Sequence, residues 1–532
     1  MDYVIVGAGS AGCVLAARLS EDPAVQVTLL EAGPPDTSVL IHCPAGLGVM
    51  ARSPTARHAF NWAFQTVPQP GLNGRRGYQP RGKVLGGSSS INAMIYTRGV
   101  PQDYDGWAAD GNAGWAWADV LPVFKQAEHN ERGADAFHGT GGPMNVMDLC
   151  DPNPFAHAFV EAGVQAGHPH NRDFNGARQE GVGLYQVTHK GGERFSAAKA
   201  YLTPNRARPN LHVVTGAHAT RVIVEHGRAV GVAYVQGARE HTVRAAREVL
   251  LSAGALQSPQ LLMLSGIGPA QHLRQHGIAV VHDLPGVGAH LHDHPDVVQV
   301  WDAQRAYDLF GLSVQGGWRT AKAIRQWRRE RRGMLTTNFA EAGGFIKSDP
   351  AEGVPDLQLH FVVGKLVNHG RTAVSGHGFS CHVCVLRPKS RGSLRLASAD
   401  SLAAPLIDPA FLQGADDVRR MVAGFKLMRD LLSQPALARH GGVERSAAAR
   451  SDAEIEAFIR QNADTVYHPV GSCRMGPGAM DVVDERLRVR GIERLRVVDA
   501  SVMPSIVGGN TNAPVIMIAE RAAQWLQSEP DY

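Results

Sequence analysis

The chain has 532 residues, more than one ordinary core needs, and 44% hydrophobic with 19% charged residues is typical of a globular protein rather than a disordered one. A formal net charge of +4 is small for this length and gives no electrostatic reason to expect nucleic acid as a partner. Six cysteines are too few for a disulfide framework and indicate a reducing compartment.

The first predicted elements are a strand, a glycine-rich turn, a helix and a second strand. The apolar runs Tyr3–Val6 and Val25–Leu30 give the strands, and Gly7–Gly12 has the pattern GxGxxG. Strand, turn and helix in this order form half of a doubly wound sheet. In that context the glycine pattern predicts dinucleotide binding.

Each residue of the turn has a predicted task. Gly7 permits the turn, Gly9 admits a pyrophosphate, and Gly12 lets the helix approach the strand. Ser10 and Ala11 open the helix, whose free N–H groups and positive end would meet the phosphate.

Glu31 ends the second strand about twenty residues after Gly12, where an acidic residue is expected to bind a ribose hydroxyl. A carboxylate there disfavours a 2′-phosphate, so NADP is not expected. The motif by itself leaves FAD and NAD both open.

The chain is expected to be cytoplasmic. A strand at Tyr3 leaves no room for a signal peptide, and no run reaches the roughly 18 apolar residues that cross a bilayer. Residues 318–332 interleave Lys and Arg with Trp318 and Trp327 and predict a basic amphipathic helix. Such a helix is typical either of a solvated surface or of a peripheral contact with the inner face of the membrane.

Beyond the second strand, residues 34–92 are rich in Pro, Gly and Arg and are predicted to form an extended segment that covers a cofactor. A strand-rich stretch follows the middle of the chain, and short turns such as His226-Gly227 predict an antiparallel meander. Its predicted strands are Leu211–Val214, Thr220–Val224, Ala229–Val235 and Glu248–Leu251.

Residues from about 301 to 459 contain no nucleotide motif and are predicted to form a second domain. Its predicted elements are strands Leu357–Val363 and Ser380–Leu386 and the amphipathic helix Asp416–Leu432. Cys381 and Cys384 form a CxxC inside the second of these strands, but no second cysteine pair completes a zinc site. Neither metal binding nor redox chemistry is predicted there.

Two long motifs carry a family resemblance. Gly82–Asn92 and Gly254–Gly268 resemble the two signatures of the glucose-methanol-choline (GMC) oxidoreductases. The similarity continues through Val287-Gly288, Asp293-His294, His468–Gly476, Val498–Ser501 and Asn510–Pro514, and so covers essentially the whole chain. Within the family, the chain looks most similar to bacterial alcohol dehydrogenases of alkane utilisation, followed by choline-dehydrogenase-like members.

The resemblance implies FAD rather than NAD, and a set of cofactor contacts. Asn92–Ile95 would lie along the isoalloxazine, and the Val222 backbone would meet the adenine. Some members tether the flavin through a histidine where Ile91 stands here, so non-covalent FAD is expected. The implied contacts are Gly7, Gly9, Ser10, Ala11, Gly12, Glu31, Ala32, Trp62, Gly82, Val84, Gly86, Gly87, Ser88, Asn92, Ala93, Met94, Ile95, Val222, Gly254, Asp499, Ala500, Asn512 and Pro514.

The resemblance also implies the catalytic pair. His468 matches the family's base, and a neutral imidazole suits proton removal from an alcohol while a hydride moves to flavin N5. Asn512 matches the second catalytic position, where it would orient the alcohol oxygen. A predicted helix from Pro514 to Gln527 would direct its positive end at the reduced flavin. His290, His292 and the Asp293-His294 pair lie in a family loop, and no metal is expected.

The expected activity is oxidation of primary, aliphatic alcohols to aldehydes, with electrons passed to a quinone or another carrier. An oxygen-reducing alcohol oxidase and a choline-type dehydrogenase stay open. So does, from a different class, a flavin-bound lyase or photodecarboxylase. Photodecarboxylase relatives have a cysteine before the Arg-Pro dipeptide and lack the histidine, whereas Leu386 precedes Arg387-Pro388 here and His468 is present.

The predicted fold is mixed α/β. A Rossmann-like FAD-binding domain comprises residues 1–155, 200–300 and 460–532, and an interleaved substrate domain comprises residues 156–199 and 301–459. The substrate domain is expected to be an antiparallel sheet covered by helices.

Overall fold

The computed structural model describes residues 1–303 and 306–528. A five-stranded parallel sheet lies at the centre of the first domain, and the predicted α/β class is confirmed. Its strands, in spatial order, are Leu211–Thr215, Val27–Glu31, Tyr3–Val6, Glu248–Leu251 and Leu495–Val497. The inner strands are apolar and buried along their length because helices cover the sheet, among them Ser10–Leu19 packed against Asn512–Ser528.

The predicted meander is only partly correct. Leu211–Thr215 and Glu248–Leu251 join the parallel sheet instead. The antiparallel meander consists of Ala217–Glu225, Arg228–Gln236 and Arg239–Arg244. Its first turn is the predicted His226-Gly227, where both residues have positive φ, the geometry of a tight hairpin. Short apolar runs have the same pattern in parallel and antiparallel strands, so the sequence did not separate the two sheets.

Residues 34–92 are less extended than predicted. They contain the helices Val39–His42, Gly46–Arg52 and Pro54–Phe60, and a small hairpin of Phe64–Gln65 with Tyr78–Gln79. The first and third helices begin at serines, whose hydroxyls accept hydrogen bonds from backbone N–H groups of the first turn. These helices are too short for their apolar residues to show a helical period in the sequence.

The second domain is an antiparallel sheet covered by helices, as predicted. Its main strands, in spatial order, are Val443–Glu444, Pro295–Asp302, Gly376–Val385, Leu357–Val362, Ala340–Ile346 and Gly181–Leu184, with Gly311–Leu312 and Asp464–Thr465 at the margins. The helices Pro154–Gln165, Ala415–Leu432 and Asp452–Asn462 enclose a second apolar core against it. Cys381 and Cys384 are buried within the strand Gly376–Val385.

Residues 318–330 of the basic segment lie in the helix Val314–Glu330, and Arg331 caps its C-terminal end. Trp327 is buried and its indole donates to the Gly192 carbonyl, whereas Trp318 is 75% exposed. Within the described ranges, no helix has both the length and the apolar composition that crossing a bilayer requires.

The remaining elements connect the two domains and border the sheets. The other helices are Pro101–Ala109, Trp117–Ala127, Gln257–Leu264, Ala270–Gln275 and Pro435–Ala438, with short 3-10 or π turns at Pro70–Leu72, Gly87–Ser90, Ala198–Leu202, Thr203–Asn205, Met334–Thr336 and Ala500–Val502. The other strands pair as Glu128–Asn130 with Met144–Val146, His189–Lys190 with Glu193–Arg194, Ile267–Gly268 with His282–Asp283, and Ser393–Arg395 with Leu406–Asp408.

Candidate active site

The glycine-rich turn exposes the start of the first helix to a cavity. Gly7 has a φ of 96°, and a Cβ there would lie 2.6 Å from the Ser252 carbonyl oxygen. A Cβ on Gly12 would lie 1.9 Å from the Gly7 carbonyl oxygen. Gly9 caps the helix without a side-chain hydrogen bond, so the N–H groups of the first turn remain available to an anion.

A second glycine run packs directly on the first. The Gly86 N–H donates to the Ala8 carbonyl at 2.8 Å, and a Cβ on Gly87 would lie 2.6 Å from the Gly9 Cα. Gly86 and Gly87 have φ values of 87° and 54°, a region that glycine adopts without strain. The two loops therefore form one backbone cradle whose interior a side chain would fill.

Two buried carboxylates hold the margins of this cradle. Glu31 accepts hydrogen bonds from the Gly33 N–H at 2.8 Å and the Ala8 N–H at 2.9 Å. Burial raises the pKa of Glu31 to about 7, although both N–H groups favour the charged form. Asp499 accepts from the Gly254 N–H at 2.8 Å, and burial raises its pKa as well.

A cavity of about 940 Å³ extends from the cradle to the antiparallel sheet. That volume is at the upper end for a small-molecule or cofactor site. The predicted site residues that line it are Gly7, Gly9, Ser10, Ala11, Glu31, Ala32, Trp62, Gly82, Gly87, Ser88, Asn92, Ala93, Met94, Ile95, Gly254, His468, Asp499, Ala500 and Asn512.

The predicted residues outside this lining are Gly12, Val84, Gly86, Val222 and Pro514. Gly12 and Gly86 act through the backbone packing described above. The Val222 N–H donates to the Ser265 hydroxyl at 2.8 Å, away from the cavity. Ala217, His218 and Ala219 line the wall there instead, so the structure does not bring Val222 to the place expected for it.

The backbone around His468 is fixed by contacts from other segments. Tyr467 has a φ of 72°, which is unusual for an aromatic residue, and its carbonyl accepts a hydrogen bond from Arg81. The His468 N–H donates to the Asp293 carboxylate at 2.7 Å, and the same carboxylate accepts from Gln79 at 3.0 Å. Together these contacts direct the imidazole into the cavity.

The hydrogen bonds of His294 determine which nitrogen of His468 carries the proton. His294 Nε2 is 3.0 Å from the Leu386 carbonyl, which only accepts, so Nε2 is the donor. In a neutral ring His294 Nδ1 is then an acceptor, and it lies 3.0 Å from His468 Nδ1. His468 Nδ1 therefore donates, and its Nε2 presents a lone pair.

Both rings are neutral near pH 7. Burial lowers the pKa of His468 well below its usual value, and the nearby His294, His360 and Arg81 lower it further. Burial likewise lowers the pKa of His294 to about 3. The neutral state that the tautomer assignment requires is thus the state these surroundings favour.

The structure brings Asn510, rather than the predicted Asn512, to His468. Asn510 Nδ2 lies 3.3 Å from His468 Nε2. The Asn510 side-chain oxygen accepts from Gln358 at 3.1 Å and from the Thr97 hydroxyl at 3.3 Å, which directs its NH₂ group towards the imidazole.

Asn512 is the first residue of the C-terminal helix, and its side-chain oxygen accepts from the Ser10 hydroxyl at 2.7 Å. It therefore belongs to the cradle and not to the group around His468. The structure thus places Asn510, and not Asn512, beside the histidine. The sequence did not separate the two asparagines of Asn-Thr-Asn, because the predicted helix began at Pro514 and the observed helix begins at Asn512.

Many of the side chains that line the cavity outside the cradle are apolar. The carboxylates that line the whole cavity are Glu31 and Asp499, both at strand ends of the parallel sheet. The apolar wall includes Leu47, Val49, Met50, Phe310, Leu335, Phe339, Val362, Leu366, Val374 and Val466. The lining cations are Arg52, Arg57, Arg81, Lys365 and Arg371. This region suits an uncharged, apolar group better than a cation.

Comparison with known proteins adds a family and several relatives. The model of the family described as GMC oxidoreductase matches residues 1–296, and a second model of the same description matches residues 388–519. The alcohol dehydrogenase [acceptor] of Pseudomonas putida is 49% identical over 100% of this chain and 96% of its own length. The mitochondrial choline dehydrogenase of Homo sapiens is 45% identical over 99% of this chain and 90% of its own.

Solved structures show the same architecture. Pyridoxine 4-oxidase from Mesorbium loti has a TM-score of 0.88 and 33% identity, covering 99% of both chains. An FAD-dependent oxidoreductase from Chaetomium thermophilum has a TM-score of 0.89 and 27% identity, covering 99% of this chain and 98% of its own. The likeness therefore extends over both domains.

Proposed function

Because the chain belongs to the GMC oxidoreductase family, whose members use FAD to oxidise alcohols, we propose that it converts uncharged primary alcohols to aldehydes. In this proposal His468 is the base, Asn510 orients the alcohol oxygen, and His294 is a positioning residue. The observation that carries it is the position of His468, which lines the cavity with Nε2 beside the Asn510 amide and Nδ1 beside His294.

The residues of the cradle fit FAD. The two glycine loops leave the space of a missing side chain, the helix start would offer N–H groups to a pyrophosphate, and Glu31 would accept from a ribose hydroxyl. When bound, FAD supplies the acceptor for the hydride of the alcohol carbon. Ile91 lines the cavity with a side chain that cannot form a covalent link, so we propose non-covalent binding.

The protein's own groups handle the proton. His468 Nε2 accepts the hydroxyl proton, and the ring then carries a charge that its buried position disfavours. The alcohol oxygen accepts a hydrogen bond from Asn510 Nδ2, which holds the hydroxyl towards the base. His294 Nδ1 accepts from His468 Nδ1 throughout and stabilises the charge that develops on the ring.

An aliphatic alcohol fits this cavity better than choline does. A quaternary ammonium is usually bound by carboxylates or by an aromatic cage. The carboxylates among the described lining residues, Glu31 and Asp499, both hold the cradle. The described lining therefore offers no further carboxylate to a quaternary ammonium. This lack disfavours choline even though a choline dehydrogenase is among the relatives.

The electrons leave the enzyme to an acceptor, which we propose is a quinone or another carrier. The helix Val314–Glu330 is a candidate for docking to a membrane that holds such a quinone. Val314 is 83% and Trp318 75% exposed, beside several Lys and Arg side chains. Vesicles with anionic lipid should co-sediment with the enzyme, and Trp318→Ser should weaken that binding; equal sedimentation of both would reject the docking surface.

The test of the activity is anaerobic mixing of the FAD-loaded enzyme with a panel of alcohols while flavin absorbance is recorded. Primary alcohols with an alkyl chain should bleach the flavin faster than choline at equal concentration. Faster bleaching by choline would overturn the substrate class. Bleaching by none of the alcohols, but by light with a fatty acid, would overturn the oxidation itself.

A further inference from the structure

Three ligand-type side chains meet beside the cavity, in a group that does not include His468. Asp296 lies on the strand Pro295–Asp302, and His382 lies on the adjacent strand Gly376–Val385. Val298 pairs with His382 across these strands, so Asp296 and His382 are diagonal neighbours on one face of the sheet. His369 reaches the same point from the segment that follows the strand Leu357–Val362.

The distances between these groups leave room for a small ion. His382 Nδ1 is 2.7 Å and His369 Nε2 is 3.9 Å from the same oxygen of Asp296, and the ligand atoms of all three lie within 4.8 Å of one another. Each side chain is at least nine-tenths buried, with exposures of 0% for Asp296, 7% for His369 and 8% for His382.

Two buried polar atoms in this group have no hydrogen-bond partner. They are the second oxygen of Asp296 and Nε2 of His369. Leaving these two buried atoms without partners is unfavourable, because each has lost the hydrogen bonds that it makes to water in the unfolded chain. A bound ligand that interacts with both atoms would relieve this.

From this geometry we propose that Asp296, His369 and His382 bind one divalent cation of the Zn²⁺ type. Two imidazoles and a carboxylate are a donor set that Zn²⁺ accepts, with ligand distances of about 2.0–2.2 Å. Tetrahedral ligands at that distance are about 3.4 Å apart, so the 2.7 Å separation would widen by about 0.7 Å and the 3.9 Å separation would narrow by about 0.5 Å. His369 and His382 also line the cavity, so the fourth position opens into it.

Charges of both signs surround the group. Arg371 and Arg75 both act electrostatically on His369, and the Arg371 guanidinium lies 3.5 Å from the Asp464 carboxylate. Asp464 in turn pairs with Asp296 across adjacent strands. The Asp296 carboxylate is the group that would attract the metal.

The experiment is equilibrium dialysis of the FAD-loaded enzyme against Zn²⁺, with metal content measured by mass spectrometry. We expect one saturable Zn²⁺ per chain, and we expect His369→Gln and Asp296→Asn each to weaken its affinity at least tenfold. His360→Gln is the matched control, because His360 is a buried imidazole with its ring 6.2 Å from that of His382 but outside the group. The Zn²⁺ affinity of the His360→Gln variant should stay within about threefold of the wild type.

FAD content and Tm of every variant are measured first, and a variant that loses FAD is replaced by His382→Gln. The absence of saturable Zn²⁺ would overturn the proposal. Unchanged affinity in both ligand variants would do the same, as would an equal loss in His360→Gln, which would locate the ion in the histidine cluster around His468.

Discussion

Replacing His294 tests the tautomer of His468 directly. In His294→Leu the buried Nδ1–H of His468 has no acceptor, which costs about 1–3 kcal/mol. The ring relieves this cost by moving the proton to Nε2, where it donates into the cavity. That tautomer cannot act as a base, so each turnover must return to the costly one. At 1.36 kcal/mol per factor of ten, kcat/KM should fall about 5-fold to 150-fold.

His294→Gln is the matched control. A glutamine amide can accept from His468 Nδ1 through its oxygen and donate to the Leu386 carbonyl through its nitrogen, the pattern that His294 makes. We expect the kcat/KM of His294→Gln to remain within about fivefold of the wild type, because both hydrogen bonds are kept.

The assay is anaerobic stopped-flow reduction of the flavin by a primary alcohol, with enzyme matched for FAD content. The loss in His294→Leu should be the same from pH 7 to pH 9, because the defect is the position of a proton and not the charge of the ring. A wild-type rate in His294→Leu, or a glutamine variant as slow as the leucine variant, would refute the reasoning.

Other predictions concern the same group and the cofactor. His468→Ala should keep its FAD yet lose about 10²- to 10⁴-fold in flavin reduction; near-normal reduction would remove it as the base. Asn510→Ala should lower kcat/KM about 10- to 100-fold through the lost donor, whereas Asn512→Ala should affect FAD retention more than the reduction rate; the reverse order would restore the original choice of Asn512. Because the pKa of His468 is lowered, the neutral base persists as pH falls, so kcat/KM should stay level from pH 8 to about pH 6.5 and decline only below its own pKa; a midpoint above pH 7 would contradict this. Acid precipitation should release the flavin into the supernatant, and colour retained in the pellet would exclude non-covalent binding at Ile91.

Much of the cradle was predictable because its determinants are local. Gly12 is required by its contact with the Gly7 carbonyl in the same turn, Gly7 has a positive φ, and Glu31 follows at the end of the next strand. The class of the second domain was also predictable from alternating and buried runs. The membership of Leu211–Thr215 and Glu248–Leu251 in the parallel sheet was not, because strand pairing depends on partners far along the chain.

The sequence by itself determined the family, the cofactor class and the choice of His468, since long motifs identify these without coordinates. Only the tertiary structure decided which groups surround that histidine. His294 is 174 positions away from His468 in the chain. Asn510 precedes the C-terminal helix and lies beside the imidazole, whereas Asn512 begins that helix and accepts from Ser10. The tautomer of His468 follows from a carbonyl on a third segment, and a hydrogen bond between distant segments leaves no periodic or local pattern in the sequence.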